Sequence, residues 1–158
     1  MATELEKRNK LIEVEGISIY GLTLSLWELF GEASFATSQT MGEYLLTFLE
    51  AESGLEIEGE NPENILKEVT RLLSDEVGLI DSGKSSIEGD RLSISCANCG
   101  SAQISNALEA QGVQPFYCPV YTIVSSAMRE RLNKKNRFVG RKWDEETKTC
   151  TIEIQLMQ

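Results

Sequence analysis

Arg91-Leu92-Ser93-Ile94-Ser95-Cys96-Ala97-Asn98-Cys99-Gly100 carries two readings at once. Leu92, Ile94 and Cys96 alternate with Ser93 and Ser95, the period of a strand with one face in the core. The strand then runs into Cys-x-x-Cys, a spacing at which a tight turn brings both sulfurs to one side. Cys118 follows after 18 intervening residues and Cys150 after 31 more, and the chain has no histidine. Four thiolates, Cys96, Cys99, Cys118 and Cys150, would close a tetrahedral zinc site. Buried structural thiols and redox-active thiols are the other readings of the same set.

Working outward, the end of the chain repeats the strand pattern. Cys150, Ile152, Ile154 and Leu156 alternate with Thr151, Glu153 and Gln155, so Cys150 also faces inward. Residues 138–143 and the turn Asp144-Glu145-Glu146-Thr147 make this strand the second arm of a hairpin. Cys118 reads as the cap of a helix with Pro119 at its first position and Val120, Ile123, Val124, Ala127 and Met128 along one face. Free N–H groups at a helix start favour a thiolate. With no histidine to act as base, cysteine hydrolase or protease chemistry is discounted.

The first half is helical in pattern. Residues 1–16 read as a polar terminal arm or short helix, and residues 17–52 as apolar-rich helices divided at Gly31. Met41, Tyr44, Leu45, Phe48 and Leu49 have helical spacing. Trp27, Phe30, Phe35, Tyr44 and Phe48 serve either as ordinary core or as the lining of a ligand pocket, with Tyr117 and Tyr121 as its polar handles. Asn61 and Pro62 start a helix whose stripe is Ile65, Leu66, Val69, Leu72 and Leu73, ending near Ser74. Strands are expected over residues 77–80 and 86–95, with Gly83 in the connection and Gly89 as a bulge. Residues 101–110 read as a short helix.

Length places the whole chain, 1–158, in one domain. The net charge of -10 argues against nucleic-acid binding. The charge is uneven: residues 1–91 hold 19 acids and seven bases, the rest six acids and eight bases. The basic run Arg129, Arg131, Lys134, Lys135, Arg137, Arg141 and Lys142 reads as a solvated helix end followed by an outer strand face, or as an anion contact. No window has the length and apolarity of a membrane span, and the start lacks a signal-peptide pattern, so a cytoplasmic location is expected. In that reducing compartment, thiols serve metals or redox chemistry rather than structural disulfides. No enzyme signature stands out, and the chain is read as a non-enzymatic module.

The order of parts resembles the 4-vinyl reductase domain, also called the hydrocarbon-binding domain, of prokaryotes. The resemblance rests on Leu26-Trp27-Glu28-Leu29-Phe30-Gly31 opening an aromatic-rich helical half, on Phe116-Tyr117-Cys118-Pro119-Val120-Tyr121 leading into a helix, and on Cys150-Thr151-Ile152-Glu153-Ile154 opening the last strand. The cysteine that such domains often carry shortly before the last one is missing here, and Cys96 and Cys99 are expected to supply the ligands from a neighbouring strand. The resemblance implies an α+β fold related to the TRAPP tethering subunits, an antiparallel sheet of about four strands with helices packed around it. It implies a homodimer, an internal pocket for a small apolar molecule, and a sensor or carrier role with a cysteine-ligated zinc. An iron-sulfur redox component or a ligand-free dimeric scaffold are the competing functions.

Overall fold

The computed structural model describes residues 2–54 and 56–157, the side chain of Ser53 excepted. Four strands, β1 (Ser82–Glu88), β2 (Arg91–Ala97), β3 (Asn136–Asp144) and β4 (Thr149–Leu156), form an antiparallel sheet in the order β1-β2-β4-β3. The alternation expected for the two cysteine-bearing strands is present. Leu92, Ile94 and Cys96 are buried on β2 and lie opposite Ile154, Ile152 and Cys150, buried on β4. The outer face instead pairs polar groups, with the Ser95 and Thr151 hydroxyls 2.9 Å apart. The fold class is therefore α+β, as expected.

Five helices accompany the sheet: α1 (Glu4–Phe30), α2 (Phe35–Ser53), α3 (Pro62–Arg71), α4 (Ala102–Ala110) and α5 (Pro119–Leu132). Asn61 caps α3 by accepting from the Asn64 N–H at 3.0 Å, with Pro62 at the first position, as its sequence requires. Residues 120–128 of α5 are buried without interruption, because the helix is covered by α2, α3 and β3 together. The approach to α2 is close at Gly42, where an added Cβ would stand 2.2 Å from the Thr122 carbonyl oxygen. The Ser38 hydroxyl fastens the same region by donating to the Phe116 carbonyl at 2.6 Å.

Expectations about the N-terminal stretch and the first strands are corrected. The stretch expected as a terminal arm or short helix is, from Glu4 on, the first part of the 27-residue α1, opened by a Thr3/Glu6 capping box; Met1 lies outside the described residues. Residues 77–80 are not a strand. After α3 the chain takes a π-type turn over Leu72–Glu76 and reverses at Gly78 (φ 68°), and the Leu73 carbonyl accepts from the Leu79 and Ile80 N–H groups. The first strand is Ser82–Glu88 instead, a polar edge segment that lacks the apolar alternation by which a strand is recognised. Gly83 lies inside it and not in a connection, where a Cβ would meet Thr70 at 2.4 Å, and Gly89 (φ 61°) is not a bulge but sits in the turn that divides the expected strand 86–95 between β1 and β2.

Candidate metal centre at four buried cysteines

All four cysteines are unpaired and buried. Cys96 and Cys150 are direct cross-strand partners on the inner face of β2 and β4. Beyond β2, Asn98 adopts the left-handed conformation (φ 49°), which an asparagine tolerates better than most residues. Its amide donates to Asp81 at 2.6 Å and its backbone N–H to the Lys148 carbonyl at 2.9 Å. This turn brings Cys99 back under the strand end, with its sulfur 3.2 Å from the Ser101 hydroxyl. Cys118 caps α5, and its carbonyl accepts from the Thr122 N–H at 2.9 Å. The sheet thus delivers two thiols, the turn one and the helix cap one, from separate parts of the sequence.

The sulfurs sense one another. Burial pushes the Cys96 thiol strongly up, and the charges of Cys99, Cys150 and Cys118 push it further. Burial raises Cys118 to about 12, against the pull of the Tyr121 amide, and Cys99 and Cys150 add to the rise. Cys150 is raised by burial too, while Arg141 acts in the opposite direction. Burial thus favours the neutral thiol at Cys96, Cys118 and Cys150. Among the described residues, no group of three or more His, Cys, Asp or Glu is drawn together as a set that could hold a metal ion. In number and softness the donors suit zinc or iron.

Arg141 is the part of this site that the sequence reading assigned to a solvated basic face. Its side chain is only 1% exposed. Its Nε donates to the Cys150 sulfur at 3.1 Å, one terminal nitrogen to Glu109 at 2.6 Å and the other to Asn106 Oδ1 at 2.8 Å. The guanidinium also lies 5.9 Å from the Trp143 ring centre. The cause is a register shift between Phe138 and Gly140. Phe138 is paired with Ile154; the extra residue Val139 then breaks the alternation, so that Arg141 pairs with Ile152 and Trp143 with Cys150, both inward-facing positions. Strict alternation would have turned Gly140 and Lys142 inward instead. Of the remaining bases, Arg131 pairs with Glu50 and donates to the Ile57 carbonyl at 3.1 Å.

The aromatic residues offered as a pocket lining do not gather around one space. Tyr117 and Tyr121 are buried; Tyr117 OH is 3.2 Å from the Ser105 hydroxyl, and Tyr121 packs edge-on against Phe138 at 5.2 Å. Phe35 packs between Phe116 and Phe138, each at 5.9 Å. Trp27 joins a second small core with Leu108, Val113 and Tyr117. Phe30, Tyr44 and Phe48 are 59%, 74% and 61% exposed, because α1 and α2 turn these faces away from the body. Tyr44 and Phe48 border an open surface groove of about 480 Å³ together with Leu45, Thr47, Ala51 and Glu52.

Among the described residues no helix is long and apolar enough to cross a membrane. No protein of curated function matches the chain. In shape the chain is similar to a Cs H-NOX mutant carrying 4-cyano-L-phenylalanine, with TM-score 0.45, 11% identity, and coverage of 86% of this chain and 70% of that one. A mutant of T. Tengcongensis H-NOX is similar at TM-score 0.44 and 10% identity, over 84% of this chain and 68% of that one. The profile of the family described as "Putative rubredoxin C-terminal domain" matches residues 12–157, and the chain belongs to that family.

Proposed function

We propose that this member of the rubredoxin C-terminal domain family is a non-catalytic, metal-centred module in which Cys96, Cys99, Cys118 and Cys150 hold one zinc ion. The observation that carries the reading is Arg141, a buried guanidinium whose Nε donates to the sulfur of Cys150, the cross-strand partner of Cys96. A cation is costly to bury beside neutral thiols and favourable beside thiolates, and four thiolates around a divalent ion leave a net negative charge. The ion when bound would supply thiolate cross-links between sheet, turn and α5, and so stabilise the fold directly. Arg141 orients and neutralises; Glu109 and Asn106 hold the guanidinium in place. The resemblance to the 4-vinyl reductase domain belongs to this reading, since Cys118-Pro119 opens a helix and Cys150 opens the last strand.

A second reading keeps the same ligands and replaces zinc by iron, as a single ion or a cluster in a redox component. The family's name supports it, and so does the suitability of thiolates for iron. We propose further a sensor or carrier role, supported by the apolar groove at Tyr44 and Phe48, which has room for a small apolar molecule.

Titration of metal-free protein with zinc tests the proposal. Uptake of about one ion per chain with release of protons is expected, since thiols held neutral by burial must ionise to bind. Cys118→Ser lowers both uptake and melting temperature. Unchanged stoichiometry and affinity in that variant would overturn the ligand assignment.

A further inference from the structure

Where the last turns of α5 meet the first residue of β3, two buried polar atoms have no hydrogen-bond partner among the described residues: Nε of Arg129 and Oδ1 of Asn136. Asn136 is 8% exposed, and its amide nitrogen donates to the Ser125 carbonyl at 3.1 Å and to the Lys134 carbonyl at 3.4 Å. Both bonds need a donor, so the amide orientation is fixed and the orphan atom is an acceptor. The Ser125 carbonyl is also the one that the Arg129 N–H meets along the helix, which sets the Asn136 amide beside the Arg129 backbone. From there the Arg129 side chain runs back along α5, the direction helical side chains take, and its charge acts on the Tyr121 phenol about two turns earlier. Tyr121 packs edge-on against Phe138, two residues beyond Asn136 on the same strand face. An orphan donor and an orphan acceptor thus share one corner, and each is costly there. The guanidinium also lacks a counter-charge. Among the described residues no Asp or Glu pairs with Arg129, while Arg131 pairs with Glu50 and Glu130; the exposed Lys134, Lys135 and Arg137 form no ion pair either, in a chain of net charge -10.

We propose that this corner, between Arg129 and Asn136, binds a small oxyanion that keeps a proton at neutral pH, hydrogen phosphate or hydrogencarbonate. Three demands select it. An oxygen must accept from Arg129 Nε, a hydroxyl must donate to Asn136 Oδ1, and the ion must carry negative charge to offset the guanidinium. Sulfate and carboxylates meet the first and third demands but have no hydroxyl. A neutral amide edge meets the first two but has no charge. Arg129 is half-buried, so its guanidinium can swing aside to admit the ion and close its planar fork over it. The exposed Lys134 and Lys135 raise the local concentration of anions. Cys118 caps the opposite end of α5, and the site does not depend on what the cysteines hold.

Isothermal titration calorimetry on the full chain at about pH 8 tests it, with phosphate, hydrogencarbonate and sulfate as separate probes. At that pH phosphate and sulfate are dianions of similar size that differ by one proton. Uptake of about one phosphate or hydrogencarbonate per chain is expected, the tighter of the two identifying the ion the site serves. Sulfate binds at least about tenfold more weakly than that ion, because its oxygen then faces Asn136 Oδ1 with no proton between them. Arg129→Gln, with the fold confirmed by circular dichroism, weakens binding by about 10–100-fold. Lys135→Gln, which removes one exposed charge, changes it by less than about threefold. Sulfate binding as tightly as the proton-bearing ions, an Arg129→Gln variant that binds like the parent, or no uptake of either proton-bearing ion at about 10 mM would each overturn the proposal.

Discussion

Replacing Arg141 by methionine removes three hydrogen bonds and the one buried cation of the cysteine cluster while keeping an apolar stem of similar length. The three losses are unequal. Glu109 is 35% exposed and turns to water, so its ion pair contributes less than about 1 kcal/mol. Asn106 is half-buried and loses one donor, a loss of about 1 kcal/mol. The bond to Cys150 is the decisive one, because the sulfur becomes a thiolate when metal is bound and a charge-assisted bond contributes about 1.5–3 kcal/mol. Metal-free protein should therefore lose little stability, whereas metal affinity should fall by about 10–100-fold, or about 1.4–2.8 kcal/mol. Competition against a chromophoric chelator measures the affinity, with circular dichroism confirming the fold. Arg141→Lys keeps the charge but not the fork, and should fall between. Glu109→Gln should change affinity by less than about threefold. An Arg141→Met variant that binds zinc within twofold of the parent would refute the reasoning.

Gly42→Ala places a methyl 2.2 Å from the Thr122 carbonyl, and separation of α2 from α5 should destabilise the chain by about 1–3 kcal/mol in urea unfolding, with no change in zinc stoichiometry. The metal-free protein should lose stability in alkali. The Cys118 thiol stays protonated in the fold up to about 12 but ionises near 8.5 when unfolded; the native state thus holds more protons between these values, and stability falls as pH rises through that window. A flat stability profile from pH 8 to pH 11 in metal-free protein would contradict the burial assigned to these thiols. Asn61→Ala should remove the α3 cap at a loss of about 1 kcal/mol, read as a lower urea midpoint with unchanged slope.

The strands that carry Cys96 and Cys150 were legible because each buries one face, and a period of two in apolar residues is the direct imprint of that. The helix caps at Asn61 and Cys118 were legible for an equally local reason, a proline at the first helical position. Strand β1 was not, because an edge strand with polar residues on most positions has no such imprint. The burial of Arg141 was hidden by one residue: the shift at Val139 inverts the facing of everything after it, and nothing in Arg137-Phe138-Val139-Gly140-Arg141 announces a bulge except the glycine. Whether the aromatic residues served as core or as a pocket lining was left open by their pattern. Helical spacing places them on faces but does not say which face meets the body, and Phe30, Tyr44 and Phe48 turned outward.

Elemental analysis with a visible spectrum, on protein purified without oxygen or chelators, tests the central claim most directly. The account predicts about one zinc per chain and no visible absorption, with zinc lost in Cys118→Ser. Absence of any stoichiometric metal would contradict the metal centre itself, and iron with a visible band would replace the zinc reading by the redox one.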